Sequence, residues 1–217
     1  MTTVKTLYCC ERMTAPARPR RTPADKFEER RRELASAALV TLGEVGYAKA
    51  SLREIAFNSP YSHGVVHYYF ADKVELITYC VRQYKAECVT RYDGIVESAE
   101  SAEELAVAFA DALVATLVED APMHRLWYDL RSQALFEASF REDVLEIDQA
   151  LERMIWAVVS RYAALRGCAP TMPSARAYAL FDGLFEQALL RHLAGLEGAT
   201  EELRSGALQL LPLLTRP

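Results

Sequence analysis

Residues 51 to 76 read SLREIAFNSPYSHGVVHYYFADKVEL, and this stretch decides the predicted fold. Ser51 predicts the start of a short helix, because a serine hydroxyl can accept a hydrogen bond from a backbone N–H that lacks a partner. A polar turn follows, and Ser62 predicts a second short helix over residues 63–70 for the same reason. Asp72 then begins a longer helix. This layout predicts a helix-turn-helix, a motif that inserts one helix into the DNA major groove.

The second short helix is predicted to be the one that faces DNA. It is too short and too rich in aromatic and β-branched residues to be stable alone, so Val66 and Phe70 are expected to anchor it in the core. Gly64 permits close approach of the backbone, Val65 can touch a thymine methyl, and hydroxyl and imidazole groups can reach phosphates or base edges. The predicted contacts on this helix are Ser62, His63, Gly64, Val65, His67, Tyr68 and Tyr69.

The sequence around this motif resembles the N-terminal DNA-binding region of the tetracycline-repressor (TetR) family of transcription regulators. The resemblance rests on ELASAALVTLGEVGYAKASLREIA, residues 33–56, and on YSHGVVHYYFADKVELI, residues 61–77. In that family an Ala-Ala helix ending in Gly-Tyr precedes a Ser/Thr-capped helix and a short recognition helix, and a lysine then opens a long fourth helix. The matching residues are Ala37, Ala38, Gly46, Tyr47, Ser51, Ile55, Ala56, Ser62, Gly64, Tyr69, Phe70, Lys73 and Leu76.

The resemblance implies further DNA contacts, and two residues depart from its pattern. It implies a phosphate contact for Lys73, a base-proximal role for Arg53, and a place for Ser51 in the DNA-binding set. Pro60 stands where the family usually has glycine, so the angle between the two short helices is expected to differ, since proline cannot take a positive φ. His67 replaces a tyrosine that commonly contacts phosphate. A histidine can still donate to phosphate, with a strength that depends on pH.

The charge of the chain is divided unevenly. Residues 1–76 contain 12 Lys and Arg against 9 Asp and Glu, whereas the remaining residues contain 13 against 21. A basic reader joined to an acidic body can bind DNA although the whole chain has a net charge of −5, because phosphate contacts are local. Ordinary solvation of the surface would give the same pattern, so the charge alone does not decide between these explanations.

Composition and periodicity predict three segments. Residues 1–25 are rich in proline and arginine and are predicted to be a mobile basic tail, either an arm on DNA or a solvated segment without a role. Residues 26–76 are predicted to form the DNA-binding domain. Residues 77–217 are predicted to form a ligand-binding and dimerisation domain. Met13 is a candidate for an alternative start of translation, which would leave out residues 1–12.

Helical periodicity predicts an all-α protein. A helix from Phe27 to Val45 has one buried stripe and is expected to stop at Gly46. The helix that begins at Asp72 is expected to link the DNA reader to the body. Further helices are predicted at 102–119, 122–138, 140–166, 174–195 and 200–214.

The last two predicted helices are more apolar than one buried face requires. The residues concerned are Tyr178, Phe181, Leu184, Phe185, Ala188, Leu189 and His192 in the first helix, and Leu203, Leu208, Leu210, Leu211, Leu213 and Leu214 in the second. Either a second subunit or the chain's own core could cover them. The resemblance implies a homodimer through these two helices. Its recognition helices would then lie about 34 to 36 Å apart and match a palindromic operator.

The middle of the chain is rich in large aromatic and flexible side chains, which predicts a cavity for a small apolar or amphipathic ligand. The candidate lining residues are Tyr92, Phe109, Met123, Trp127, Tyr128 and Trp156, and the candidate polar anchors are His124, Arg131, Gln133 and Asp182. The alternative is that these side chains are ordinary core residues. The resemblance also implies a pocket in this region, without identifying its ligand.

The sequence contains few of the motifs that indicate catalysis or metal binding. It contains no phosphate-binding glycine loop, no nucleophile elbow and no Glu-x-x-His pair. His63 and His67 have the i, i+4 spacing of metal ligands, but no carboxylate or cysteine is placed to complete a site. Five cysteines without paired spacing are typical of a reducing cytoplasm. We therefore expect no catalytic residue, no metal, no cofactor and no membrane segment.

These patterns together predict a cytoplasmic, dimeric, ligand-responsive transcription regulator, most simply a repressor. Ligand binding in the body is expected to tilt the helix that begins at Asp72 and so change the separation of the two recognition helices. Two alternatives stay open at this point. One is an interaction protein that uses the helix-turn-helix to dock another protein, and the other is a small helical enzyme with an apolar active site.

Overall fold

The computed structural model describes residues 22–216, apart from the side chains of residues 47, 48 and 216. Within this range the chain is helical almost throughout, which confirms the all-α prediction. The α-helices are α1 (Pro23–Lys49), α2 (Leu52–Phe57), α3 (His63–Tyr69), α4 (Lys73–Cys88), α5 (Asp93–Ser98), α6 (Ala102–Glu119), α7 (Ala121–Ala134), α8 (Arg141–Leu165), α9 (Ser174–Leu193) and α10 (Ala199–Leu213). Two-residue strands, β1 (Ala169–Pro170) and β2 (Thr215–Arg216), pair antiparallel.

Helix α1 begins earlier and ends later than its apolar stripe predicts. Thr22 forms a capping box with Asp25, in which the Thr22 hydroxyl accepts from the Asp25 N–H at 3.1 Å and the Asp25 carboxylate accepts from the Thr22 N–H at 2.7 Å. This cap starts the helix at Pro23, inside the predicted tail, whose residues 1–21 lie outside the described residues. Gly46 has a φ of 76° and kinks the helix instead of ending it.

The predicted caps of the helix-turn-helix are present. The Ser51 hydroxyl accepts from the Glu54 N–H at 3.1 Å, and the Ser62 hydroxyl accepts from the Val65 N–H at 3.4 Å. The turn around Pro60 contains no residue with positive φ, because among the described residues only four glycines, all outside this turn, have one. Ser59 supports the turn instead, since its hydroxyl donates to the Ala56 carbonyl at 3.2 Å. The proline in place of glycine is therefore accommodated without a left-handed residue.

The body surrounds α8 and joins the DNA-binding unit through α1. Helices α6 and α10 pack together, α9 packs on α8 and α10, and α1 packs on both α4 and α7. Helix α7 ends at Ala134, four residues before its predicted end, because Leu135 and Phe136 lie exposed in a turn. A 3-10 turn at Ala138–Phe140 then leads into α8. Buried apolar side chains from these helices, among them Phe109, form one continuous hydrophobic core.

The last two helices use most of their apolar side chains within the chain itself. The buried members of the predicted set are Tyr178, Phe181, Phe185, Ala188, Leu189, Leu203, Leu211 and Leu214. A different group is exposed on α9, namely Ala179, Leu180, Gly183 and Leu190, and Leu213 is exposed on α10. Most of the predicted apolar residues are therefore buried within the chain. The exposed surface of α9 is formed by other residues, namely those just listed.

None of the helices in the described part of the chain is long and apolar enough to cross a membrane.

Candidate DNA-binding surface and ligand cavity

Helix α3 presents an open face on the outside of the helix-turn-helix. The predicted contact residues that are exposed are Ser51, Arg53, Ser62, His63, Gly64, Val65, His67 and Tyr68. Val66 and Phe70 are buried, as predicted, and hold the helix against the core. The geometry therefore leaves hydroxyl, imidazole, glycine and valine surfaces free on one side of a short anchored helix, as recognition of a DNA groove requires.

Aromatic contacts fix the end of α3. The Tyr69 ring lies 4.8 Å from the Phe27 ring and is half-buried, so Phe27 of α1 holds it in place. The neighbouring Tyr68 is 72% exposed, and its hydroxyl is free to meet a partner. The rings of His63 and His67 are 4.4 Å apart in an edge arrangement. Tyr68 and the two histidines thus present polar groups on the exposed surface of α3.

A shallow open groove lies between α2 and α3, and four of its lining residues, Glu54, Ala56, Phe57 and Tyr61, were not among the predicted DNA contacts. It is lined in part by Phe57 and Tyr61, together with the predicted Ser51, Arg53 and Ser62. Phe57 is 87% exposed, although it is a large apolar side chain. The sequence does contain an indication that Phe57 is exposed, because this residue lies outside the apolar stripe of α2.

Lys73 stands at the junction between the DNA-binding unit and the body. It is the first residue of α4, whose start is capped by the Asp72 carboxylate accepting from the Glu75 N–H at 2.8 Å. Partial burial lowers the pKa of Lys73, while the charges of Asp129 and Glu137 from the α7 region act in the opposite direction. Lys73 is therefore attracted to carboxylates of the body even though it borders the predicted DNA surface.

A cavity lies in the middle of the body and encloses about 560 Å³ of space outside the atoms, counting its opening to solvent. Its lining residues are Lys85, Cys88, Arg91, Tyr92, Leu113, Thr116, His124, Trp127, Tyr128, Leu151, Met154, Ile155, Tyr178, Phe181, Asp182 and Phe185. Five of these were among the predicted ligand-binding residues, namely Tyr92, His124, Trp127, Tyr128 and Asp182. A concave site that is mostly apolar and carries a few polar groups is typical of small-molecule sites.

Two other predicted residues support the cavity without lining it. Phe109 lies behind the wall, where its ring is 5.0 Å from the Tyr92 ring. Arg131 forms an ion pair with Asp182, whose carboxylate also accepts from the Tyr128 hydroxyl at 3.1 Å. The Asp182 carboxylate is therefore already well supplied with hydrogen-bond donors from the protein.

The remaining three predicted residues lie elsewhere. Met123 faces α1, where a Cβ added at Gly43 would come 2.5 Å from the Met123 Cε atom. The Gln133 amide is 3.5 Å from the Asp129 carboxylate, and Trp156 is half-buried outside the lining. Aromatic content and helical spacing alone do not separate residues that face a cavity from residues that face a neighbouring helix.

Lys85 is the most unusual residue of the cavity, and the sequence analysis missed it. It is only 3% exposed, and its ammonium group lies 5.5 Å from the Tyr84 ring centroid and 5.1 Å from the Trp127 ring centroid. Burial lowers the pKa of Lys85 to about 8. The available signal was its spacing, since Lys85 follows Val81 by four residues on the buried face of α4.

Two further polar atoms of the cavity wall lack hydrogen-bond partners among the described residues. They are the indole nitrogen Nε1 of Trp127 and the imidazole nitrogen Nε2 of His124. Burial, together with the nearby charge of Lys85, lowers the pKa of His124 to about 2, so the imidazole is neutral. Buried polar groups without partners carry a cost of about 1 to 3 kcal/mol each, which a suitable ligand would relieve.

Helix α7 connects the cavity to the DNA-binding unit. One side carries the cavity residues His124, Trp127 and Tyr128. The other side carries Arg125, whose guanidinium donates to the Gly43 carbonyl and, at 2.9 Å, to the Glu44 carbonyl of α1. Helix α7 therefore contacts the cavity on one side and α1 on the other.

Residues 34–80 match the family model described as bacterial regulatory proteins, tetR family. Among curated proteins, none matches the sequence significantly. The matched segment contains the end of α1, the whole helix-turn-helix and the first half of α4. It therefore covers the surface on which the predicted DNA contacts lie.

Solved structures extend the similarity to the rest of the fold. A TetR transcription regulator from Haloarcula marismortui superposes with a TM-score of 0.71 at 18% identity, covering 87% of this chain and all of that one. A transcriptional regulator from Saccharomonospora viridis, in complex with choline, gives 0.72 at 15% identity over 88% of this chain and all of that one. The regulator FadR from Bacillus subtilis, in complex with stearoyl-CoA, gives 0.65 at 16% identity over 83% and 96%.

The motif match and the fold lead to the same class of protein. Residues 34–80 carry the family's sequence pattern, and the helical body has the fold of solved regulators. The enzyme alternative is thereby set aside. Residues 34–80 thus resemble the DNA-binding region of the TetR family of bacterial regulatory proteins, and the described helices share the fold of solved transcription regulators of that family.

Proposed function

We propose that the chain is a repressor that a small apolar or amphipathic ligand releases from a palindromic operator. The observation that carries the proposal is that α4 and α7 each contact both the cavity and the DNA-binding unit. Helix α4 begins with Lys73 beside the helix-turn-helix and ends with Lys85 and Cys88 at the cavity. Because a helix rises 1.5 Å per residue, Lys73 and Lys85 are about 18 Å apart along one rigid element.

In this proposal α3 enters the major groove and the surrounding residues hold the backbone. The exposed residues of α3 face base edges and phosphates, while Ser51 and Arg53 flank them from α2. Lys73 contacts a phosphate, and Tyr69 positions the end of α3. The DNA-binding domain is proposed to be residues 26–76, with a boundary that falls inside α4, so the two domains share one helix.

The ligand is proposed to contact the cavity residues directly and to act through α4 and α7. Tyr92, His124, Trp127, Tyr128 and Asp182 are the predicted ligand contacts that line the cavity. The similar folds from Saccharomonospora viridis and Bacillus subtilis hold choline and stearoyl-CoA, which supports a ligand role for this kind of helical body. A shift of α7 would pull on α1 through Arg125, and a tilt of α4 would move α3.

A homodimer is proposed to form through the outer surfaces of α9 and α10. Ala179, Leu180, Gly183 and Leu190 recur at helical spacing on the exposed side of α9, and Leu213 is exposed at the end of α10. Small and apolar residues on one face allow close packing against a two-fold copy. Two recognition helices held about one DNA turn apart would then read a palindromic site. A cytoplasmic location, where the DNA is accessible, is part of the proposal.

DNA binding is tested first, by selecting genomic fragments on the purified protein and measuring affinity against salt concentration. Lys73→Ala should weaken binding to all sequences and reduce the salt slope by about one unit, because one phosphate contact is lost. Arg153→Ala, which alters an exposed side chain of α8, is the matched control. Wild-type affinity in the Lys73 variant would remove this residue from the contact set. If no fragment is retained, the motif docks protein instead.

The ligand switch is tested on the selected operator. Apolar and amphipathic compounds that raise the melting temperature of the protein are titrated into the protein–operator complex, and fluorescence anisotropy follows release of the DNA. Affinity for the operator should fall at saturating ligand. Compounds that bind the cavity but leave the operator affinity unchanged would refute the switch. A reporter gene downstream of the operator distinguishes repression from activation.

The dimer is tested by placing a charge on the proposed face. Leu190 is 69% exposed on α9, and Leu190→Glu should give a monomer by light scattering and lose tight operator binding. Leu145→Glu places the same charge at an exposed leucine of α8 and is the control. A dimeric Leu190 variant would move the interface away from this face.

A further inference from the structure

We infer that the ligand of the central cavity is an apolar carboxylate, whose anionic head binds the Lys85 ammonium and the Trp127 indole N–H. Its apolar body would lie against Leu113, Leu151 and Phe185. The inference deepens the proposed function and rests on it, because it names the chemical class that the ligand-responsive cavity accepts. It comes from the charges and hydrogen bonds of the cavity wall.

The carboxylate groups of the wall already have partners. Asp182 accepts from Tyr128 and Arg131, and Asp120, just outside the wall, lies 2.6 Å from the Arg91 guanidinium. These acidic and basic groups therefore neutralise one another in pairs. A ligand cation would have to compete with an existing arginine for either carboxylate, which makes a cationic ligand unfavourable.

The cation Lys85 also lines the cavity, and it is not part of these ion pairs. Within the described part of the chain its close neighbours are the Tyr84 and Trp127 rings, and no carboxylate lies within ion-pair distance of its ammonium. A buried charge without a counter-charge is costly, and burial accordingly lowers the pKa of Lys85. A ligand anion beside this ammonium would supply the missing counter-charge.

Neutral hydrogen-bonding groups complete the polar end of the cavity. Trp127 Nε1 can only donate, so its unpaired N–H requires an acceptor on the ligand. His124 Nε2 is also unpaired, and the imidazole is neutral, so it adds no charge beside that of Lys85. One ammonium and one indole N–H match the two oxygens of a carboxylate. The apolar remainder of the wall matches an aliphatic or aromatic body.

The test uses calorimetry on the full-length protein with matched sets of simple compounds. Hexanoate, octanoate and decanoate are compared with the alcohols and primary amines of the same chain lengths. The carboxylates should bind most tightly and the amines most weakly. Lys85→Met should weaken octanoate binding about 10- to 100-fold and leave octanol binding unchanged, because a charged hydrogen bond is lost while the side-chain length stays similar.

Two further variants separate the role of Lys85 from general damage. Trp127→Phe keeps an aromatic ring but removes the N–H donor, and should weaken octanoate binding about 3- to 10-fold. Lys26→Met removes an exposed lysine of α1 and should change nothing. Thermal melting of each variant verifies that it is folded before the titration.

The outcomes distinguish this inference from the proposed function. Alcohols that bind as tightly as the carboxylates, or a Lys85 variant with unchanged octanoate affinity, would overturn the carboxylate inference and leave a ligand cavity in place. If none of these compounds binds at millimolar concentration, the carboxylate inference is overturned, and the ligand role of the cavity is then decided by the melting-temperature screen of other compounds. Octanoate that binds without affecting the operator affinity would refute only the switch.

Discussion

Replacement of Lys85 by methionine is expected to stabilise the unliganded protein near neutral pH. The wild-type chain must hold a charged ammonium in a buried site, and burial lowers the pKa of Lys85 from 10.5 to about 8. A difference of one pKa unit corresponds to about 1.4 kcal/mol, so the folded state is penalised by about 3 kcal/mol while the lysine is charged. Methionine has a similar length and carries no charge.

The contacts of Lys85 with aromatic rings reduce this gain. The Tyr84 and Trp127 rings lie 5.5 and 5.1 Å from the ammonium, and such contacts are worth roughly 0.5 to 2 kcal/mol. We therefore expect Lys85→Met to raise the free energy of unfolding by about 1 to 3 kcal/mol. For a chain of this size that gain corresponds to a rise in melting temperature of roughly 3 to 10 °C.

The gain should depend on pH with a definite sign. Because the pKa of Lys85 is lower in the folded state, the folded chain binds fewer protons than the unfolded chain between about pH 8 and pH 10.5. The wild type therefore recovers stability as the pH rises through this window. The charged and titratable groups facing Lys85 are Cys88, Arg91, Asp120, His124 and Asp182, with Tyr84, Tyr128 and Tyr178.

Urea unfolding at pH 7 and at pH 10 measures both effects, and Lys26→Met serves as the surface control. Most of the stabilisation by methionine should be lost at pH 10, where the wild-type lysine is largely neutral. A Lys85 variant that is less stable than the wild type at pH 7 would refute the reasoning. An equal gain at both pH values would show that charge burial is not its cause.

Four other substitutions test individual contacts of the helices. Arg125→Gln removes the donor to the Gly43 and Glu44 carbonyls. Calorimetry should show a ligand affinity within about two-fold of the wild type, whereas anisotropy should show less ligand-driven release of the operator. Full release would count against a path through Arg125. Gly43→Ala should lower the free energy of unfolding by about 1 to 3 kcal/mol, because its Cβ would lie 2.5 Å from Met123 Cε. Shortening of the opposing side chain in Met123→Ala should restore part of the loss in a double-mutant cycle, and strict additivity would contradict the contact. Ser62→Ala should cost about 1 kcal/mol in urea unfolding because the cap of α3 is lost, and an unchanged stability would remove that cap as a contributor.

The helix-turn-helix was predictable because its signals are local. Ser51, Ser62 and Asp72 each cap a helix within three residues of themselves, so their roles do not depend on distant parts of the chain. The helix break at Gly46 was only partly predictable. Its positive φ creates a kink, but α1 continues beyond it to Lys49.

The cavity was less predictable because its wall is assembled from five helices. Trp127 and Met123 are both large side chains on α7, yet Trp127 faces the cavity and Met123 faces α1. Their difference depends on the relative positions of whole helices, which periodicity within one helix does not determine. Lys85 shows the same limit, since a lysine at a core-facing position becomes informative only when its neighbours are known.

The composition of α9 also did not predict which of its residues form the outer face. The sequence identifies the last helices as unusually apolar but does not say which residues the chain itself covers. Phe181 and Phe185 are buried in the internal core, whereas the smaller Ala179 and Gly183 remain on the outside. Identification of the proposed interface required the packing of α9 on α8 and α10.

The position of Lys73 places one cation between the carboxylates of the body and, in the proposed complex, a DNA phosphate. Asp129 and Glu137 attract it from the side of the body, and in the proposed complex a DNA phosphate attracts it from the other side. An ion pair of Lys73 with the body therefore weakens its contact with the phosphate, and the reverse also holds. By thermodynamic linkage, any ligand that lowers operator affinity is itself bound more weakly, by the same factor, when the operator is present. DNA is therefore as much an effector of the body as the ligand is of the DNA reader.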